Sequence, residues 1–213
     1  MSEKGKLFVV SAPSGAGKTS LVKAMLETEP GLKVAISHTT RPKRSSEVDG
    51  INYYFIDDVT FRQLIEEEAF IEHAKVFDNY YGTSKSEVNK LLGAGNDLIL
   101  EIDWQGARQI RARLTDCISI FILPPSLTTL KERLQGRGMD DAASIDKRTR
   151  EAISEISHYG EFDFLVVNDD FDKALTQLLA IVREQPENLK RDYQSSQMEK
   201  LIAELLPENP AEA

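Results

Sequence analysis

The apolar run Leu7-Phe-Val-Val-Ser11 passes directly into Ala12-Pro-Ser-Gly-Ala-Gly17-Lys18-Thr19, and residues 19–28 then carry helical patterning. A buried strand, a glycine-bearing loop and a helix, in that order, constrain the fold more than any other feature, because they are the setting a phosphate-binding loop requires. Gly15 and Gly17 let successive backbone N–H groups turn inward around an anion. The helix start adds its own unpaired N–H groups and the positive end of its dipole. Within Ser14, Gly15, Ala16, Gly17, Lys18, Thr19 and Ser20, the Lys18 ammonium can reach β- and γ-phosphates, and the Thr19 hydroxyl can ligate the Mg2+ that travels with ATP. Ala12 stands where the general pattern has its first glycine, a position that tolerates a side chain if its φ is negative. The alternative is a glycine-containing strand–helix turn with a chance lysine, which leaves the matching strand and helix contexts as coincidence.

Apolar runs at 34–37, 98–103, 118–123 and 164–167 join 7–11 as candidate strands. Near-continuous apolarity, rather than alternation, marks strands covered on both faces. Helical patterns lie between most of them, which favours a parallel sheet of βαβ units. Thr60-x-x-Gln63 and Ser84-x-x-Glu87 have the form of capping boxes, the second helix stopping near Gly93 or Gly95. Ser126 is placed to cap a helix ending at Gly136, Asp141 or Ser144 to open one reaching about Tyr159, and Asp170 to cap 171–185 before Pro186. Residues 38–90 are richer in Tyr, Asp and Glu, with short alternating stretches such as 70–77, and read as an inserted antiparallel or mixed sheet. Beyond Pro186 the chain is highly charged, with Met198, Leu201, Ile202, Leu205 and Leu206 at helical spacing. That stripe either packs on the chain's own core or meets a partner, so a homo-oligomer stays open.

Bulk properties exclude several classes. A net charge of −9 argues against a general nucleic-acid binder, although a local basic cleft remains compatible with it. The single cysteine, Cys117, rules out an internal disulfide and, beside the run 118–123, is expected to be buried. A reducing compartment follows, and with no signal-peptide pattern at 1–6 and no apolar stretch near the roughly 18 residues that span a bilayer, the cytoplasm is the expected location. His38, His73 and His158 are scattered and receive no role.

The inserted region must carry the information about the second substrate. Ser37-His-Thr-Thr-Arg41-Pro-Lys-Arg44 presents two arginines whose forks match phosphate oxygens, or else a solvated basic loop. Tyr53, Tyr54, Tyr80 and Tyr81 offer hydroxyls and rings to a ligand, or else the ordinary packing of a small sheet. Leu98-Ile-Leu-Glu101-Ile-Asp103 is an apolar strand ending in an acid, the place where phosphate-loop enzymes keep a carboxylate beside the metal, or else an Asp that caps the next helix.

Taken together, Ser11-Ala-Pro-Ser-Gly-Ala-Gly-Lys18, Thr39-Thr-Arg-Pro, Asn79-Tyr-Tyr-Gly-Thr83, Asp103-Trp-Gln-Gly106, Gly136-Arg-Gly138 and Val167-Asn-Asp-Asp170 resemble the signatures of guanylate kinases, in that family's order and over residues 7–185. The resemblance implies an α/β fold in which a five-stranded parallel sheet with a phosphate loop and helices on both faces binds ATP. A mixed-sheet insert binds GMP, and a short lid covers the phosphates. The implied boundaries are 1–37 with 88–186 for the core, about 133–150 for the lid within it, 38–87 for the insert and 187–213 for a charged helical tail.

By position, the resemblance assigns the GMP phosphate to Arg41, Arg44, Tyr53 and Tyr81, the guanine to Ser37, Glu72 and Thr83, and a further GMP contact to Asp103. It puts Arg137 and Arg148 on the ATP phosphates with Arg133 nearby, Asn168 near the adenine edge, and Asp103 or Glu101 outside Thr19 around Mg2+. Glu101 stands where the family usually has Asp and is one methylene longer. The guanine assignment is chemically sound, since guanine offers N1–H and N2–H2 donors to a carboxylate and an O6 acceptor to a hydroxyl. Adenine would leave Glu72 facing an acceptor, a mismatch worth roughly 10⁴-fold in a site built around such bonds. The implied reaction is Mg2+-dependent transfer of the ATP γ-phosphoryl group to GMP, and to dGMP, with Lys18, Arg41, Arg137 and Arg148 as its catalytic residues. Two rivals share the scaffold: a non-catalytic interaction module, against which the intact Lys18, Thr19, Arg137 and Arg148 argue, and a kinase for a ribose phosphate, against which Glu72, Thr83 and the tyrosines argue.

Overall fold

A computed structural model describes residues 4–76, 78–135 and 142–207. In chain order its elements are β1 (Leu7–Ser11), α1 (Lys18–Thr28), β2 (Leu32–Val34), β3 (His38–Thr39), β4 (Tyr54–Phe55), α2 (Asp58–Glu66), β5 (Phe70–Val76), β6 (Asn79–Ser84), α3 (Lys85–Gly93), β7 (Asp97–Glu101), α4 (Trp104–Arg113), β8 (Ile118–Leu123), α5 (Leu127–Gln135), α6 (Ala142–Ile156), β9 (Phe164–Val167), α7 (Phe171–Glu184), α8 (Arg191–Gln197) and α9 (Glu199–Leu205). A five-stranded parallel sheet has the order β2-β7-β1-β8-β9, and a separate four-stranded sheet the order β4-β3-β6-β5. The chain forms two units, residues 1–9 with 29–118 and residues 10–28 with 119–213. None of the described helices is long and apolar enough to cross a membrane.

In the first unit, β2 pairs with β7 in parallel, Leu32 opposite Asp97. The strand expected at 34–37 lies earlier, at Leu32–Val34, because the backbone beyond Ala35 is diverted: the Ser37 carbonyl accepts from the Tyr54 N–H at 3.0 Å and so serves the second sheet. That second sheet is mixed, β3 running parallel to β4 and antiparallel to β6, with β5 antiparallel to β6 at the edge. Phe61 of α2 is fully buried and stacks on Phe70 and Tyr80, with ring centroids 4.6 and 5.3 Å away. Helix α2 is capped by Asp57, not by the expected Thr60: the Asp57 carboxylate, three residues earlier, accepts from the Thr60 N–H at 2.7 Å. At α3 the expected box also fails. Ser84 pairs with the Ser86 hydroxyl, and Glu87 accepts from the Ile36 N–H at 3.2 Å instead. Cys117, expected to be buried, is only partly so.

In the second unit, β8 and β9 pair in parallel from Ile120 opposite Phe164 to Leu123 opposite Val167. The Ser126 hydroxyl accepts from the Thr129 N–H and the Asp170 carboxylate from the Lys173 N–H, as their positions suggested. Helix α7 ends at Gln185 in the left-handed region, just before Pro186. The tail packs on its own unit. Lys190 bridges to Phe164, the Arg191 N–H donates to the Asp163 carbonyl at 2.7 Å, and Leu205 is fully buried. The stop expected at Gly136, the lid residues 136–138 and the cap expected at Asp141 lie outside the described residues.

Candidate active site

In the second unit the loop between β1 and α1 takes a form that only glycine permits at two places. Gly15 and Gly17 have φ of +92° and +93°. A Cβ on Gly17 would lie 2.4 Å from the Asn168 Nδ2, and one on Gly15 would lie 3.1 Å from methyls of Leu130 and Leu134. Asn168, expected at the adenine edge, is buried and its side-chain amide donates to the Ala16 carbonyl at 2.7 Å, while its backbone carbonyl accepts from the Arg133 Nη2 at 3.0 Å. It therefore ties the loop to the end of β9. The Arg133 Nη1 is buried with no hydrogen-bond partner among the described residues, a desolvated cationic donor suited to an anion. Helix α6 touches the loop at Ser14 with both signs of charge. The Arg148 Nη2 donates to the Ser14 hydroxyl at 3.0 Å, and the Ser14 N–H donates to the Glu155 carboxylate at 2.9 Å. Glu155 was not anticipated, since an acid on an amphipathic helix has no local signature. Lys18 opens α1 half-buried, followed by exposed Thr19 and Ser20. Arg137 lies outside the described residues.

In the first unit three predicted residues meet in a buried chain. Thr83 donates to the Glu72 Oε1 at 2.6 Å, and the Thr83 and Ser37 hydroxyl oxygens are 3.1 Å apart. Thr83 has one proton and gives it to the carboxylate, so Ser37 supplies the other hydrogen bond. Glu72 is 2% exposed and Thr83 0%, so this polar chain sits where an unmatched partner is costly.

The predicted phosphate residues gather around an acid that the sequence reading had not singled out, Glu47. Its Oε1 is 2.6 Å from the Arg41 Nη2, with the two side chains 13% and 15% exposed, and 4.0 Å from the Arg44 Nη1. Its Oε2 accepts from the Arg44 N–H at 2.8 Å. The Arg41 guanidinium lies 5.6 Å from the centre of the Tyr53 ring, which meets Tyr81 edge-on at 5.9 Å. Burial disfavours charge on both members of the pair, but mutual contact prevails: Glu47 is held below the usual carboxylate range by Arg41 and Arg44, and Arg41 above its ordinary value by Glu47 and Tyr81. Burial, then the charge of Glu101, pushes the Tyr53 phenol up to about 12, so it remains a proton donor. Asp103 caps α4, its Oδ1 accepting from the Gly106 N–H at 3.0 Å and its Oδ2 from the Gln105 amide at 3.0 Å. The His38 ring packs on Tyr54 and Phe70, and its Nδ1 is buried without a hydrogen-bond partner among the described residues.

A family model described as guanylate kinase matches residues 4–185. A guanylate kinase of Chromohalobacter salexigens is 57% identical over 188 residues, covering 88% of this chain and 87% of that protein. One of Methylococcus capsulatus is 54% identical over 203 residues, covering 95% and 98%. A crystal structure of guanylate kinase from Anaplasma phagocytophilum superposes with a TM-score of 0.71 at 30% identity, covering 92% of this chain and 96% of that one.

Proposed function

The chain belongs to the guanylate kinase family and is an ATP:GMP phosphotransferase; from that premise we propose which of its residues do the work. The observation that carries the assignment is the four-stranded sheet of residues 38–87. On β6, Tyr81 and Thr83 point to one face, two residues or about 7 Å of strand apart. Thr83 leads to Glu72 and Ser37, groups that fit a guanine edge. Tyr81 leads to Tyr53, Arg41 and Arg44, groups that fit a phosphate. Glu72 accepts from N1–H and N2–H2. Ser37, whose proton goes to Thr83 without ligand, turns its hydroxyl to O6. The phosphate of GMP joins or displaces Glu47 on the Arg41 fork. dGMP, which presents the same base and phosphate, is accepted as well.

On the other substrate, the loop of residues 14–20 holds the ATP phosphates, the Ser14 and Ala16 N–H groups being engaged by Glu155 and Pro13, with Lys18, Arg133 and Arg148 neutralising the phosphate charge. Arg137 joins them on its Gly-Arg-Gly motif alone. Thr19 fits Mg2+ by its chemistry, a hydroxyl in the first helical turn beside a phosphate cradle. When bound, the ion would neutralise charge on the ATP phosphates. The acceptor oxygen of GMP is already ionised near neutral pH, so no general base is needed, and the protein's task is alignment and electrostatic stabilisation.

The test is ADP formation with ATP, Mg2+ and each nucleoside monophosphate in turn. Turnover with GMP and dGMP, and little with AMP, CMP or UMP, is expected. Equal turnover with AMP would remove Glu72 from the recognition of guanine.

A further inference from the structure

We propose that helix α4 is the template that positions the Glu72 carboxylate, Gly106 giving it room and Gln109 fixing the strand beneath it. This rests on the reading that Glu72 accepts from guanine. Strand β5 is the edge of its sheet, so one row of its backbone groups has no neighbouring strand. Its ladder to β6 shifts register between Phe70 and Glu72, which leaves Ile71 unpaired in the ladder at the residue before the carboxylate. Helix α4 supplies both sets of missing partners. The Gln109 carboxamide accepts from the His73 N–H at 3.2 Å and donates to the His73 carbonyl at 2.6 Å, as a paired strand would. Arg113 donates to the Ile71 carbonyl. The two peptide neighbours of Glu72 are thereby clamped.

Between those clamps the carboxylate itself rests against the helix. A Cβ on Gly106 would lie 2.4 Å from the Glu72 Oε2 and 3.2 Å from its carboxyl carbon, closer than any side chain could sit. Gly106, Gln109 and Arg113 follow the spacing of one helix face, and the buried Ile110 between them packs that face inward. Glycine is unfavourable inside a helix, so its presence here reflects the carboxylate's approach rather than helix formation. With Oε1 held by Thr83 and Oε2 set by Gly106, the carboxylate has one orientation available to a base.

The consequences can be separated. In Gly106→Ala the helix is favoured, so folding should persist, while Glu72 is displaced. We expect KM for GMP to rise about tenfold to a hundredfold, in keeping with the cost of roughly ångström misplacement, with KM for ATP unchanged and the preference for GMP over AMP reduced. Gln109→Leu loses both bonds to His73 and Gln109→Glu keeps only the acceptor, so GMP preference should fall in the order wild type, Gln109→Glu, Gln109→Leu. A purely structural role would lower Tm and enzyme yield without altering the GMP-to-AMP ratio of kcat/KM, and that result would overturn the proposal. Glu72→Gln is the control. If it keeps full guanine preference, the reading of Glu72 itself fails. If it loses preference while Gly106→Ala and Gln109→Leu keep it, only the template role fails.

Discussion

Arg41 shows how much of the chemistry rests on geometry within single side chains. Its Nη2 is held by Glu47 at 2.6 Å and its Nη1 by the Pro42 carbonyl at 2.8 Å, with the guanidinium 5.6 Å from the Tyr53 ring centre, so the role proposed for it uses a planar fork rather than charge alone. Arg41→Lys should weaken GMP about tenfold to a hundredfold, the worth of a charge-assisted hydrogen bond at roughly 1.5–3 kcal/mol, measured by titration calorimetry with GMP. Lys18→Ala should leave the fold and GMP affinity intact and lower kcat by about 10²-fold or more, since it neutralises phosphate charge both in bound ATP and during transfer; steady-state kinetics decides it. His38 acts on stability. Burial holds its imidazole below the ordinary 6.5, against the Gly82 hydrogen bond and the charge of Asp49. The unfolded chain then takes up a proton first as pH falls. The contribution is complete above about pH 6.5 and is lost as pH drops toward the folded value. His73 is shifted in the same direction by burial and Arg113. Thermal melts from pH 7 to pH 5 should therefore show falling Tm, with a shallower slope in His38→Phe, which keeps the ring packing.

At the level of elements, the insert is a thin sheet held by two helices: α2 packs it through Phe61, and α4 clamps its edge through Gln109. Phe61 is the centre of the α2 packing, fully buried between Phe70 and Tyr80. Phe61→Ala should cost about 3–5 kcal/mol in urea unfolding and raise KM for GMP more than KM for ATP, because β5 and β6 carry Glu72 and Thr83, proposed to read guanine, and none of the loop at 14–20. Most element types were legible from pattern, but caps were not reliably so. At Ser126 and Asp170 the expected side chain does bond the third N–H. At Thr60 a nearer carboxylate, Asp57, wins, and at Glu87 a long-range acceptor role replaces the reciprocal local bond. Helix α4 was foreshadowed only by Asp103 as a possible cap. Its run Trp104-Gln-Gly-Ala-Arg-Gln-Ile-Arg-Ala-Arg113 has a narrow apolar face and an early glycine, both explained only by what it packs against.

For the molecule as a whole, the two substrates are assigned to different parts of the chain, ATP to the loop at 14–20 and GMP to residues 38–87. Ligand protection should reflect this. ATP with Mg2+ at about a hundred times its Kd should stabilise the protein by about 2.7 kcal/mol, and GMP should give its own increment, read by thermal shift with each ligand alone and together. Loss of the ATP increment in Lys18→Ala with the GMP increment retained would match the division; loss of both would contradict it.

Contiguous chemistry could be read from the chain unaided. A strand, two glycines, a lysine and a threonine in a row define a phosphate cradle because backbone conformation and helix dipole are local properties, and the ordered motifs from 7 to 185 were enough to indicate the family. Tertiary structure decided what depends on residues distant in sequence. It placed Ser37 and Thr83 beside Glu72, set Glu47 against Arg41, put Glu155 on the Ser14 N–H, turned Asn168 to the loop carbonyl, and gave Gly106 its reason. Those contacts join backbones that chain folding alone brings together, and hydrogen bonds and packing act over distances of a few ångströms that no spacing along the chain encodes.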